Sequence, residues 1–302
     1  MCKNKGMNKV FAPRWLPDGS LVVKNDAEQS LMALLEKLGL SRGLIRRLQI
    51  EADGRPVTNT GTILPAGARV LLKPAEQDFS ELSYEPVDII YEDDECLVAF
   101  KPAGLLVHAD GEAEDTLTGR VNAHLLGSSP FPAQCVHRID KDASGLVLFA
   151  KNPLVQPALD AQFAGTDAKK EYLAVIEGKP AHKHVDLNSP IGKDRHNPNQ
   201  MVVFSGGKPS HTHIELESEK RGNALVKATI TTGRRHQIRV HLAHNGHPIV
   251  GDVLYGARPT GEPMLLQCQK LAFTNPITEE RIQVEAPFPA RFAPFHQGNL
   301  KN

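Results

Sequence analysis

Residues 136–151 read VHRIDKDASGLVLFAK. GLVLFA at the far end of this stretch and QCV (134–136) at its start are short β-like segments bounded by polar residues. Between them His137, Arg138, Asp140, Lys141 and Asp142 crowd into one loop, so the chain sets a charged group where two strands meet. A solvated surface turn has the same local pattern, and these residues alone do not separate the two readings.

Working outward, DIIYEDDECLVAFK (88–101) predicts two strands joined by an acidic turn, and KPAGLLVH (101–108) continues it with Lys101, Pro102 and Gly104 in a tight turn. TLTGRVNAHLLG (116–127) places Leu117, Val121 and Leu125 on one helical face. PLVQPALDAQF (153–163) predicts a second helix whose first turn Pro157 weakens. EYLAVIEGK, HTHIELESE, ALVKATITT and MLLQCQKLAF read as strands. Strands outnumber helices and no internal repeat is present, so the expected class is α+β on a largely antiparallel sheet.

The bulk numbers fit a folded chain. Of 302 residues 40% are hydrophobic and 23% charged, enough for a sizeable core. Thirty-five basic residues balance 35 acidic ones, which excludes a surface that is basic all over but leaves room for local basic patches. Cys2, Cys96, Cys135 and Cys268 follow no CxxC spacing, so reduced thiols are expected rather than a zinc ribbon. The start, MCKNKGMNKVFAPRW, has no apolar run behind its positive charge, and no window is long and apolar enough to span a bilayer. A soluble, cytoplasmic protein is expected, with no membrane partner.

Four units are expected along the chain: an N-terminal extension (1–20), a small unit (21–73), a linker (74–86) and a large domain (87–297). In the small unit LMALLEKLGL carries leucines at helical spacing, and SRGLIRRL (41–48) predicts a short second helix with Ser41 as N-cap. Arg42, Arg46 and Arg47 fall on one side of it; the plain reading is a solvated face, the functional one a contact with RNA. On SRGLIRRL, DGRPVTN (53–59) and LPAGARVLL (64–72) the unit resembles the alpha-L RNA-binding fold of a small-subunit ribosomal protein, with PVTNTG departing from the usual pattern. The polar, acidic PAEQDFSELSYEP (74–86) suits a linker.

Chemistry concentrates in the charged loop, in KKEYLAVIEG (169–178) and in TTGRRHQIRVHLAHNGHPIVGDVLYG (231–256). The last predicts a helix from Thr232 or Gly233 to Asn245, with Arg235 and Arg239 at i and i+4 beside an apolar stripe through Ile238 and Leu242. No acid occurs from Lys220 to Gly251, a local excess of positive charge that suits an anionic ligand such as RNA. His236, His241, His244 and His247 raise a metal reading, but arginines crowd the same segment and would repel a divalent cation, so no metal is expected. No nucleophile elbow, phosphate-binding P-loop or dinucleotide-binding glycine turn is present.

Together, KPAGLLVH, HRIDKDASGLVLFAK, KKEYLAVIEG and TTGRRHQIRVHLAHNGHPIVGDVLYG, in this order across residues 87–297, resemble the RluA-type pseudouridine synthases. The resemblance implies a catalytic domain with a central mixed sheet, preceded here by the small α+β RNA-binding unit, and isomerisation of uridine in structured RNA without metal or organic cofactor. It implies that Asp140 is the catalytic aspartate, that Tyr172 packs under the target base and serves as a base, and that Arg239 pairs with Asp140. By the same resemblance Ile238 lines the pocket and Arg138 enters the RNA stack in place of the flipped nucleotide. His137 and Arg234 are further RNA-binding candidates beside them. Departures are Ile139 for leucine, and Ala143 and Arg235 for threonine.

The chemistry independently suits these residues. Breaking a glycosidic bond and rejoining the same base through carbon needs no redox partner and no water, but it needs a carboxylate in a pocket that retains the base. Burial would neutralise such a carboxylate, whereas an arginine within about 4–6 Å favours its charged form. The expected partner is ribosomal or transfer RNA, ribosomal first, and the expected state a monomer. The competing reading is an RNA-binding module without turnover; a metal-dependent hydrolase using the late histidines is a weaker third.

Overall fold

The computed structural model describes residues 14–111 and 115–295. Residues 1–13, with Cys2, and the expected limit at 297 lie outside that range.

The first elements are β1 (Arg14–Trp15), β2 (Leu21–Lys24), β3 (Gln29–Ser30), α1 (Leu31–Lys37), α2 (Arg42–Ile45), β4 (Leu48–Ala52), β5 (Arg55–Pro56), β6 (Ile63–Leu64) and β7 (Arg69–Pro74). Five of the strands form an antiparallel sheet in the order β1-β2-β7-β4-β5. Its core gathers Leu31, Leu34 and Leu35 of α1 with Ile45, Val70 and Leu72. Ser41 does cap α2, but the helix lasts only one turn before β4 begins, and Arg42, Arg46 and Arg47 are all exposed. Among the described residues the sheet takes in Arg14–Trp15, ahead of residue 21, and Trp15 packs against the cores of both the small sheet and the large one.

The rest of the chain contributes β8 (Asp88–Glu92), β9 (Cys96–Lys101), α3 (Leu117–Leu125), β10 (Gln134–Cys135), β11 (Ser144–Ala150), α4 (Gln156–Ala164), β12 (Lys169–Glu177), β13 (His184–Leu187), β14 (Ile191–Lys193), β15 (Met201–Val203), β16 (Thr212–Lys220), β17 (Asn223–Ile230), α5 (Gln237–His244), β18 (Leu266–Thr274) and β19 (Arg281–Glu285). The large sheet runs β13-β16-β17-β12-β18-β11-β9-β8, with β10 on β11 and β19 on β18. Among the described strands of this sheet only β11 and β18 pair in parallel, which makes the sheet mixed and largely antiparallel, and the class α+β. Both faces are covered, which explains the continuous apolar run in β12. Tyr172, Ala174 and Ile176 point into the main core with Leu159 of α4 and Ile238 and Leu242 of α5; Leu173 and Val175 point to the opposite face with Leu225 and Phe292.

At the parallel crossing the two backbones touch. Gly145 has φ +118°, and a Cβ there would lie 2.3 Å from the Cys268 carbonyl oxygen, so only glycine fits.

Three local expectations change. Pro157 falls in the first turn of α4, where its missing N–H costs nothing. The linker is tied down: Ser83 N–H donates to Gly119 O, Ser83 Oγ to Asp115, and Asn122 Nδ2 to Glu81 O. The late helix begins at Gln237 rather than Thr232. Gln237 Oε1 accepts from both Thr232 Oγ1 and Arg234 N–H, folding the preceding segment into a turn, and His236 takes a left-handed conformation (φ 55°) at the helix start.

Candidate active site

The loop between β10 and β11 is built from inside. Val136 N–H donates to Leu148 O, continuing the β10–β11 pairing, and Ala143 N–H donates to Asp140 O. Ala143 is buried, so the loop closes through its backbone and needs no hydroxyl there. Beneath it lies Lys101. Its side chain is fully buried, and Nζ donates to the carbonyls of Pro102, Leu105 and Lys141 at 2.7–2.9 Å. Gly104 N–H donates to the same Lys141 carbonyl. Lys101 is therefore neither a solvated turn lysine nor a phosphate contact. It is an internal strut that fixes the backbone one residue beyond Asp140, and burial pulls its pKa down to about 8.

Asp140 lies at the side of a cleft of about 1040 Å³ on the α4/α5 face of the sheet. Arg138, Tyr172, Arg234, Ile238, Arg239 and His137 line the same cleft, so the structure gathers these candidates although they span a hundred residues of sequence. Arg42, Arg46 and Arg47 lie outside it on the N-terminal unit. Lys141 and Asp142 are exposed.

Arg239 Nη1 donates to Asp140 Oδ2 at 3.2 Å, a single bond that leaves the rest of the guanidinium for another partner. The fork closes on Asp252: Nε to Oδ2 at 2.7 Å and Nη2 to Oδ1 at 2.8 Å, with both side chains almost fully buried. Arg239 is thus a buried cation clamped by one carboxylate and presenting its remaining edge to another. The ring of Tyr255 lies 5.0 Å from the guanidinium carbon. The Tyr255 hydroxyl accepts from Met201 N–H and bonds His236 Nδ1 at 2.8 Å, while His236 Nε2 stands 4.0 Å from Asp140 Oδ1. Asp140 Oδ1 has no hydrogen bond among the described residues.

Tyr172 is buried beside Cys268, and burial, with the Cys268 and Asp140 charges, raises its pKa well above the ordinary value. At neutral pH it is a phenol. Arg235, expected on a helix with Arg239, sits in the turn instead and donates to the carbonyls of Pro198 and Asn199 in the β14–β15 connection. The late histidines disperse. His241 bonds Thr212 and Ser189 O, and His247 bonds Glu177 O. No cluster of three or more His, Cys, Asp or Glu side chains among the described residues is placed to hold a metal.

Sequence reasoning missed Asp252 and Tyr255. A signal for the first existed: Asp252 is the first acid after the acid-free run Lys220–Gly251, and a buried cation in that run needs a counter-charge.

Comparison with known proteins bears on this cleft. Residues 95–244, from β9 through α5, match the family model described as RNA pseudouridylate synthase. The chain is 36% identical over 281 residues to an uncharacterized RNA pseudouridine synthase of Bacillus subtilis, YhcT, covering 88% of this chain and 92% of that one. It is 31% identical over 269 residues to ribosomal large subunit pseudouridine synthase D of Pseudomonas aeruginosa, covering 83% of each. Among solved structures, human RNA pseudouridylate synthase domain containing 1 aligns with a TM-score of 0.59 at 26% identity, over 70% of this chain and 87% of that one.

Proposed function

The chain belongs to the RluA-type family of RNA pseudouridine synthases, and from that premise we propose that it isomerises specific uridines of large-subunit ribosomal RNA with Asp140 as the catalytic carboxylate. The substrate class is supported by relatives named as ribosomal large subunit pseudouridine synthases, such as the one from Pseudomonas aeruginosa. The observation that carries the residue assignment is the aim of Asp140. Its Oδ2 is held by a guanidinium that Asp252 clamps in turn, while Oδ1 of this cleft-lining residue makes no hydrogen bond to any described residue.

The reaction breaks N1–C1′ and makes C5–C1′; C5 gives up a proton and N1 takes one, so nothing is consumed. Asp140 Oδ1 is the oxygen free to react, and Arg239, bonded to Oδ2, directs the carboxylate. Tyr172 and Ile238 hold the detached uracil between the sheet and α5. As a phenol, Tyr172 accepts the C5 proton only after yielding its own, so its first contribution is its ring. Arg138 is exposed on the loop two residues before Asp140 and takes the place of the extruded nucleotide, offsetting part of an unstacking cost of a few kcal/mol. Arg42, Arg46 and Arg47 extend the contact to flanking phosphates.

The test is pseudouridine formation by purified protein on ribosomal RNA from a strain lacking the gene. Wild type forms the product. Asp140→Asn binds the RNA and forms none, which also separates an enzyme from a simple RNA-binding module.

A further inference from the structure

The site just described leaves one cation without a role. Lys170, on β12, is 8% exposed, yet its ammonium has no hydrogen bond or ion pair to any described residue. Its contact is the ring of Phe163, 5.4 Å from Nζ. Nζ lies against Gly233, where a Cβ would stand 3.5 Å from it. Lys101 shows how this fold completes a structural lysine, with three carbonyls on one ammonium. Lys170 has none.

A second donor on the same wall is also unmatched. His137 Nε2 accepts from Leu148 N–H, which puts the hydrogen of the neutral imidazole on Nδ1. That atom is buried and has no partner. The His137 ring stacks on Phe163 with centroids 4.7 Å apart, so both unmatched donors border one aromatic ring, and all three residues line the cleft. Buried donors in native proteins nearly always find acceptors. His137 Nδ1 is one such orphan, and beside it stands the unpaired ammonium of Lys170 on the cleft wall; together they mark where an acceptor arrives from outside.

The acceptor's chemistry follows from its charge. An unpaired ammonium on a cleft wall is matched best by an anionic oxygen, such as that of a phosphate. Lys170 and Tyr172 are two residues apart on one face of β12, about 7 Å along the strand. A nucleotide whose base lies on Tyr172 therefore carries its sugar–phosphate towards Lys170. Resting on the RNA reading above, we propose that Lys170 is a substrate-binding residue whose ammonium takes a backbone phosphate of the strand carrying the flipped uridine.

Lys170→Met tests this. On ribosomal RNA from a strain lacking the gene, kcat/KM falls about 10–100-fold, mainly through KM. The slope of its logarithm against log salt becomes shallower by about 0.7, the share of one phosphate contact. The melting temperature of the RNA-free protein stays level or rises, because the largely buried stem keeps its packing in an apolar side chain of similar length and no hydrogen bond or ion pair to a described residue is lost. Lys170→Arg recovers the slope. A lower melting temperature with an unchanged slope would make Lys170 structural and overturn the proposal. Weaker binding with an unchanged slope would overturn it too, pointing to a neutral acceptor such as a uracil carbonyl. Should wild type convert no uridine in that RNA, the slope is read from poly(U) binding. A Lys170-dependent slope there upholds the subsite while the ribosomal target fails, and an independent one overturns the subsite as well.

Discussion

Replacing Asp252 by alanine separates the clamp from the reacting group. Arg239 and Asp252 have side-chain exposures of 4% and 1%, and two charge-assisted bonds of 2.7 and 2.8 Å join them. Without Asp252 the buried guanidinium keeps only its 3.2 Å bond to Asp140. Removing one partner of a buried ion pair costs about 3–5 kcal/mol. At roughly 2 °C per kcal/mol for a chain of this size, the melting temperature falls by about 6–10 °C. Arg239 also loses its fixed direction, so Asp140 is less well aimed, and a displacement of about 1 Å costs up to about 100-fold in rate. The assay pairs thermal melting with single-turnover product formation below both transitions, with Asp140→Asn alongside. Asp140 is partly exposed and makes one bond to Arg239, so its amide variant loses all turnover while its melting temperature moves by under about 2 °C. Equal melting temperatures for the two variants, or a turnover for Asp252→Ala equal to wild type, would refute the clamp.

The other predictions concern the scaffold and pH. Lys101→Met strands three carbonyls at about 1 kcal/mol each, lowering the melting temperature by about 6 °C and, because Lys141 O is released, reducing turnover as well. Gly145→Ala forces a Cβ into the Cys268 backbone and costs more than about 3 kcal/mol, read as loss of soluble protein or of a cooperative melt. Burial, with the Lys170 charge, pulls the His137 pKa down to about 3. The unfolded chain then binds the extra proton between about pH 6.5 and 3, so this contribution to stability is present above that window and is lost as pH falls through it. Denaturant midpoints at pH 7 and pH 5 show a smaller drop in His137→Phe than in wild type.

Part of the candidate site was legible. The charged loop between QCV and GLVLFA, a local pattern, does join two paired strands, whereas the contact of Asp140 with Arg239, 99 residues apart, was implied by the family resemblance and not by any local pattern. What the sequence hid depends on burial and on partners from distant elements. Lys101 and Lys170 both read as lysines at strand ends. Their difference appears only once the turn after β9 wraps the first and Phe163 of α4 and the turn before α5 close over the second. Arg235 and Arg239 kept helical spacing on paper, but Gln237 spends its side chain on the preceding turn and delays the helix. The acid-free run pointed to Asp252 as a counter-charge, but nothing local shows which of two carboxylates an arginine's fork will grip.

The most direct measurement is site-resolved pseudouridine mapping of total RNA from cells lacking the gene, complemented with wild type or with Asp140→Ala. One or a few positions in large-subunit ribosomal RNA are expected to disappear on deletion and to return with wild type alone. Restoration of those positions by Asp140→Ala would contradict the assignment of Asp140, and a loss confined to transfer RNA would contradict the assignment of the substrate.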